Sequence, residues 1–183
     1  LNGDIVDDRV YGGTGNDLVR GGSGNDRVYG DAGNDRVYGD AGNDLVYGGA
    51  GNDILYGGAG DDRLYGGLGA DRLYGGAGKD LFVFASVKDS TVLASGRDTI
   101  YDFRAADGDR IDLRLIDANT RVAGNQAFTF IGTDKFSGTA GELRYDKVGS
   151  KSYVYGDVNG DGVADFSIVL ERMTTVNDDY FLL

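Results

Sequence analysis

The chain of 183 residues contains no cysteine, histidine, proline or tryptophan. Without cysteine there is no disulfide and no thiolate metal site. Without histidine there is no zinc site of the H-E-x-x-H type and no Ser-His or Cys-His nucleophile pair. Long apolar runs are also missing, so no segment reads as a membrane span, and no amino-terminal stretch reads as a signal peptide. The chain opens on Leu1 rather than Met, which reads as a piece of a larger polypeptide. Positive charge is scarce: 18 Lys and Arg stand against 30 Asp and Glu, for a net charge of −12. Such a chain repels nucleic acid and anionic membranes and attracts cations.

Glycine, in contrast, is abundant, at 33 residues. Glycine and acidity alone would suggest a disordered chain. The 40% of hydrophobic residues argues against disorder, because they are placed regularly. From Gly12 to Val83 the chain divides into eight consecutive blocks of nine without insertion: GGTGNDLVR, GGSGNDRVY, GDAGNDRVY, GDAGNDLVY, GGAGNDILY, GGAGDDRLY, GGLGADRLY and GGAGKDLFV. Position 6 is always Asp: Asp17, Asp26, Asp35, Asp44, Asp53, Asp62, Asp71 and Asp80. Position 8 is always apolar, and position 4 is always Gly: Gly15, Gly24, Gly33, Gly42, Gly51, Gly60, Gly69 and Gly78. Gly3–Tyr11 is a degenerate earlier block that keeps Asp8 and Val10.

Each block reads as a glycine-rich turn and a three-residue strand whose alternation points position 8 inward and positions 7 and 9 outward. Strands that short must stack on copies of themselves. Two phosphate-binding readings fail. GGAGKD at Gly75–Asp80 places Asp where a P-loop needs Ser or Thr, and no third glycine completes a dinucleotide fingerprint.

The pattern G-G-x-G-x-D-x-U-x over Gly12–Val83 resembles the nonapeptide repeat of the RTX family. The resemblance implies an all-β fold: a parallel β-roll over residues 1–83, with two blocks per coil, and a mainly antiparallel β cap over 84–183. Asp17, Asp35, Asp53 and Asp71 then form one column, and Asp26, Asp44, Asp62 and Asp80 the other. Stacked carboxylates repel at short range, and glycine turns leave carbonyl oxygens without partners. A hard cation with six to eight oxygen ligands answers both, and Ca²⁺ suits flexible carbonyl-rich sites better than Mg²⁺. The expected sites are the position 6 Asp residues with turn glycines at positions 2 and 4, among them Gly13, Gly22, Gly49 and Gly58. The eight Asp give six Ca²⁺ intervals, and Asp8 one more. Turn chemistry alone is the bland alternative, but it does not require Asp in every block.

Past residue 83, SGRDTIY keeps Asp98 and DGDRIDL keeps Asp109 in degenerate turns. Candidate strands follow at 127–131, 142–146, 152–155 and 166–170. RDTIYDF through GDVNGDGVADFSI is similar to the C-terminal domain of serralysin-type secreted metalloproteases, and alginate epimerases carry related modules. DVNGDGVAD places Asp157, Asn159, Asp161 and Asp165 like ligands of an EF-hand loop. Ile168 stands where the bidentate Glu belongs, and a plain hairpin turn is the alternative. The ending NDDYFLL resembles a type I secretion signal, or is simply a closing strand.

Outward, position 9 carries Tyr29, Tyr38, Tyr47, Tyr56, Tyr65 and Tyr74, and position 7 carries Arg27, Arg36, Arg63 and Arg72. These read as stabilising stacks or as a platform for an acidic glycan. The functional expectation is a non-catalytic, monomeric, extracellular calcium module. Its partners are an upstream catalytic domain of the same polypeptide and the type I secretion apparatus, with no nucleic acid and no membrane span. The alternative is a module that binds an anionic, alginate-like polysaccharide.

Overall fold

A computed structural model describes residues 1–183. Eight six-residue strands follow one another: β1 (Arg9–Thr14), β2 (Leu18–Ser23), β3 (Arg27–Ala32), β4 (Arg36–Ala41), β5 (Leu45–Ala50), β6 (Ile54–Ala59), β7 (Arg63–Leu68) and β8 (Arg72–Ala77). Alternate strands pair in parallel, with Tyr11 opposite Tyr29 and Tyr38 opposite Tyr56. One coil is therefore two blocks, and the roll consists of two facing parallel sheets.

The strands are twice the expected length. The glycines at positions 1 and 2 do not turn the chain but carry the strand onward, so that Gly49 pairs with Gly67 and Ala50 with Leu68. The bend is confined to positions 4–6. Close approach explains the glycine at position 1: a Cβ on Gly48 would lie 2.5 Å from the carbonyl oxygen of Gly66 and 2.6 Å from Oδ2 of Asp53. Backbone conformation explains position 2, where Gly49 has φ of 113°. Asp31 and Asp40 take that position at φ of 73° and 75°, a region that Asp tolerates better than most residues.

The period-2 alternation puts position 8 between the sheets. Val19, Val28, Val37, Val46, Leu55, Leu64, Leu73 and Phe82 are all fully buried, each such side chain contributing about 1.5–3 kcal/mol. Outside, Tyr11, Tyr29, Tyr47 and Tyr65 stack on one face at centroid spacings of 4.5–4.8 Å. Tyr38, Tyr56, Tyr74 and Tyr101 stack on the other at 4.7–4.9 Å.

Both sheets run on into the C-terminal half. The first adds β9 (Leu81–Val83), β11 (Arg110–Asp112) and β16 (Phe181–Leu182). The second adds β10 (Thr99–Ile100) and then β15 (Phe166–Leu170), β14 (Lys151–Asp157), β13 (Glu142–Val148) and β12 (Thr129–Phe130). The β13–β14 and β14–β15 pairs are antiparallel and β12–β13 is parallel, so all four candidate strands of the cap are present. Phe84, Phe103, Phe128 and Phe166 extend the position 8 stack into one apolar core that continues from Val19 to Phe181. Residues 85–93 cross as a loop fastened by Ser90, whose Oγ donates to the Ser167 carbonyl at 2.5 Å and accepts from the Asp98 N–H at 2.8 Å. There is no α-helix, hence no helix long and apolar enough to cross a membrane.

Candidate metal centre

The bends bring the position 6 carboxylates into two columns, in the expected pairing of alternate blocks. Within a column, each Asp N–H donates to Oδ1 of the Asp one coil further on. Asp17 donates to Asp35, Asp35 to Asp53 and Asp53 to Asp71, each at 2.8 Å. Asp26 to Asp44 and Asp44 to Asp62 repeat the 2.8 Å link on the other side, and Asp62 to Asp80 measures 3.1 Å. The degenerate turns complete the rows: Asp71 donates to Asp98 at 2.9 Å and Asp80 to Asp109 at 3.0 Å, while Asp8 heads the second column, donating to Asp26 at 2.8 Å.

That link engages one carboxylate oxygen and leaves the other. Oδ2 of Asp17, Asp26, Asp35, Asp44, Asp53, Asp62, Asp71, Asp80 and Asp98 is buried with no hydrogen-bond partner. An ionised oxygen in that state costs far more than a lost hydrogen bond unless a positive charge meets it. The carbonyls of position 4 share the condition. Those from Gly15 to Gly78 accept no backbone hydrogen bond, and they aim along the column: a Cβ on Gly33 would overlap the Gly15 oxygen, and one on Gly51 the Gly33 oxygen. Gly42, Gly60, Gly69 and Gly78 repeat the relation with Gly24, Gly42, Gly51 and Gly60. At position 2, the carbonyls of Asp31 and Asp40 face Gly49 and Gly58 in the same way. Each interval thus offers hard oxygen donors and no cation of the protein's own, which is a donor set that fits a hard metal ion.

The column ends differ. Asp8 Oδ2 accepts the Asp4 N–H at 2.7 Å, and Asp109 Oδ2 accepts the Arg104 N–H at 2.7 Å. At the close of the first column both Asp71 and Asp98 keep an unpartnered Oδ2, and the two oxygens lie within 2.5 and 2.9 Å of the place a Cβ on Gly66 would take. Electrostatics follows the burial. Desolvation, helped by the neighbouring carboxylate and opposed by the accepted N–H, pushes Asp44 and Asp53 up to about 6 and Asp62 and Asp80 up to about 7. It also raises Asp71, and carries Asp98 well above the usual carboxylate range.

Sequence reasoning missed the role of position 5. Its side-chain oxygen accepts the backbone N–H of the same position one coil on: Asn34 N–H to Asn16 and Asn43 N–H to Asn25 at 2.8 Å, Asn52 N–H to Asn34 at 2.7 Å. This ladder runs opposite in sense to the Asp links and locks the bends beside the carboxylates. The recurrence of Asn at 16, 25, 34, 43 and 52 was the available signal.

A family model described as the C-terminal part of the serralysin M10 peptidases matches residues 3–182. The chain belongs to this family. Among solved structures, the R2 subunit AlgE6R2 of the mannuronan C5-epimerase from Azotobacter vinelandii shares 24% identity at a TM-score of 0.46, covering 100% of this chain and 91% of that one. The R3 subunit, AlgE6R3, of an epimerase from the same organism shares 25% identity at a TM-score of 0.36, covering 97% and 78%. A search of curated proteins found no match. The family is a module of larger proteins and is not their catalytic part.

Elsewhere in this serralysin C-terminal module, the Asp157–Asp165 loop is built differently from the columns. Asp157 is fully buried, and its Oδ1 accepts the N–H groups of Asn159 at 3.2 Å and Gly160 at 2.6 Å, its Oδ2 that of Gly162 at 2.9 Å. Asp165 accepts from the Val158 N–H and from Asn159 Nδ2 at 2.7 and 2.8 Å. Asp161 accepts the Val163 N–H at 2.8 Å. No side-chain oxygen of this loop is buried and unpartnered. On the module's outer faces, Arg27, Arg36, Arg63 and Arg72 are exposed beside the tyrosine stacks. None forms an ion pair; the five pairs present involve Arg20, Arg104, Arg114, Arg144 and Lys151.

Proposed function

We propose that this chain is a non-catalytic calcium module of a larger exported protein, and that it folds when Ca²⁺ fills the intervals of the two Asp columns. The observation that carries the reading is the run of nine buried, unpartnered Oδ2 atoms. Each Ca²⁺ takes carboxylate oxygens of successive coils together with bend carbonyls. The eight repeat Asp define six intervals, and Asp98 adds a seventh because its Oδ2 is also unpartnered. Asp8 and Asp109 end the second column without adding ions, since loop N–H groups already hold their second oxygens. Six divalent ions carry as much positive charge as the chain's net −12. The Asp157–Asp165 loop, already internally bonded, is at most a weaker site.

Binding free energy then becomes folding free energy. Where free Ca²⁺ is low, as inside a cell, column repulsion keeps the chain open and fit for a type I secretion channel. Outside, sites with Kd of roughly 10⁻⁴–10⁻³ M fill and the roll closes. Residues 1–83 together with the Asp98 turn are the part that answers to calcium, and the rest of 84–183 caps it. The upstream catalytic domain of the same polypeptide is the natural partner.

The test is a calcium titration of metal-stripped protein followed by far-UV circular dichroism, with Mg²⁺ as control. A cooperative gain of sheet with Ca²⁺ alone is the expected result. A chain equally folded under chelator sinks the reading.

A second reading, the gripping of an anionic polysaccharide, is favoured by the four unpaired arginines beside the tyrosine stacks. Guanidinium groups pair well with carboxylates, and tyrosine rings stack on sugars. Binding of uronate oligomers to the calcium-loaded protein, weakening with salt, is its signature.

A further inference from the structure

The period of nine does not stop at Val83. Counted onward without a gap, FASVKDSTV (Phe84–Val92) is the next block and LASGRDTIY (Leu93–Tyr101) the one after it, with Asp89 and Asp98 both at position 6. Alternation would set Asp89 over Asp71 and Asp98 over Asp80. The structure does otherwise. The Asp71 N–H donates to Asp98, 27 residues on, at 2.9 Å, and the Asp80 N–H to Asp109 at 3.0 Å. One whole block is left out of the roll, and its residues explain why. Position 4 of the other blocks bends at φ between 110° and 139°, a region that excludes a β-branched residue such as the Val87 found there. Thr91 stands where the core needs an apolar side chain.

The excluded block is folded back as the strap of residues 85–93, and it meets the end of the first column. Asp98 has no further Asp to receive its N–H, which donates instead to Ser90 Oγ at 2.8 Å. That hydroxyl donates on to the Ser167 carbonyl at 2.5 Å. In return the Ser167 N–H donates to the Ser90 carbonyl at 3.2 Å, and Ser167 Oγ to the Thr91 carbonyl at 3.1 Å. The row of Asp links thus ends in a buried hydroxyl that joins it to β15. The second column has no such tie: the Asp109 N–H turns back to the Arg104 carbonyl at 3.3 Å.

Next to Ser90 stands Asp89, whose Oδ2 accepts the Ala85 and Ser86 N–H groups at 2.7 and 3.1 Å. Burial is the main reason that Asp71 and Asp98 are raised above the ordinary carboxylate range, and the Asp89 charge adds to the rise of both. The closed strap therefore brings a third carboxylate toward the interval where Asp71 and Asp98 keep unpartnered Oδ2 atoms. None of the three carboxylates takes part in an ion pair.

We propose that the strap is a cation-sensitive latch: it closes on β15 through Ser90 when the Asp71–Asp98 interval is filled, and the Asp89 charge makes closure depend on that filling. This rests on the calcium reading above. Without a cation, three carboxylates meet in a poorly screened place and oppose the closed strap. With a cation there, the three charges are offset and the Ser90 bonds hold. β15 is then fastened only when the first column is filled to its last interval, and the second column exerts no such control.

The experiment is site-resolved amide hydrogen exchange of the full chain through a calcium titration. It compares the amides of Asp98 and Ser167, held by the strap, with those of Asp35 and Asp53, inside the roll. Between the lowest calcium that protects the roll amides and saturation, exchange of the strap-held amides should slow by about tenfold or more. In Asp89→Asn, which still accepts the Ala85 and Ser86 N–H groups, that gain should shrink to about threefold or less. In Ser90→Ala the strap-held amides should stay unprotected at saturating calcium while the roll amides are protected. Thr91→Val, on the same strap but with its hydroxyl turned to the Leu93 carbonyl, should behave as the unaltered chain. Strap-held amides that gain protection in step with the roll amides, or an undiminished gain in Asp89→Asn, overturn the latch even where calcium folds the roll. Roll amides equally protected under chelator overturn the calcium reading, and the latch with it.

Discussion

The roll and the cap solve the same packing problem with opposite chemistry. Both bury apolar side chains between β layers, and one core runs through them. In the roll, however, every coil also buries a carboxylate with an unpartnered oxygen. Beyond the Asp98 turn that ends the first column, the cap's comparable buried Asp157 is held by three backbone N–H groups. The bond-by-bond contrast makes the roll the part whose stability depends on a cation, and the cap the part that depends on aromatic packing. A repeat unit nine residues long gives each coil too little apolar area to stand alone; the cap has long antiparallel strands and several phenylalanines.

The comparison can be broken from either side. The largest effect belongs to the cap: Phe166→Ala removes a ring that is 1% exposed and packs edge-on against Phe128 at 5.7 Å. It should cost about 3–5 kcal/mol, by denaturant unfolding, at saturating calcium as well as at low calcium. If excess calcium abolishes the loss, the two regions are not distinct in what holds them.

Within the roll, Asp53→Asn keeps the shape and removes a charge shared by two intervals. The calcium midpoint of folding should rise by roughly tenfold, equivalent to about 1.4 kcal/mol, with fewer ions bound by calorimetry.

Acid sharpens the same point. Asp44, Asp53, Asp62 and Asp80 have folded values raised to about 6 to 7, above the ordinary 3.8. In metal-free protein the folded state therefore binds more protons than the unfolded one, and their contribution is fully present below 3.8 and lost as pH rises through 6 to 7. Circular dichroism of metal-free protein should show more sheet near pH 4 than at pH 8. The reverse order would mean that burial does not control these groups.

Smaller effects come from the surface. Tyr47→Leu interrupts a stack whose neighbours lie at 4.8 and 4.5 Å, and should cost about 0.5–1.5 kcal/mol of thermal stability. Asp161→Asn leaves the Asx turn able to form and should change stability by less than about 0.5 kcal/mol, with no change in ion count; a lost ion would move this loop into the class of the columns.

Much of the roll was legible because its code is strictly local. Position 8 alternation marked the inner face, and an Asp at the sixth place of every nine-residue block marked the columns. The strand length was not legible. A glycine at position 1 looks like a turn residue, yet the close approach of Gly48 to the next coil's carbonyl shows that it serves an extended segment. Position 5 was overlooked because a single Asn in a turn has many local uses, and only stacking reveals that its oxygen reaches the next coil.

The sequence by itself determined the period, the inward residue of each block and the recurrence of carboxylates. Those are properties of residue type and spacing, which act within a few bonds. Only the tertiary structure decided which carboxylate oxygens are engaged and which are left, that Asp98 is left and Asp109 is not, and that the carboxylates of the Asp157 loop are satisfied from within the loop. Those depend on how coils lie over one another, and contacts between residues 18 or more apart are set by stacking rather than by any segment alone.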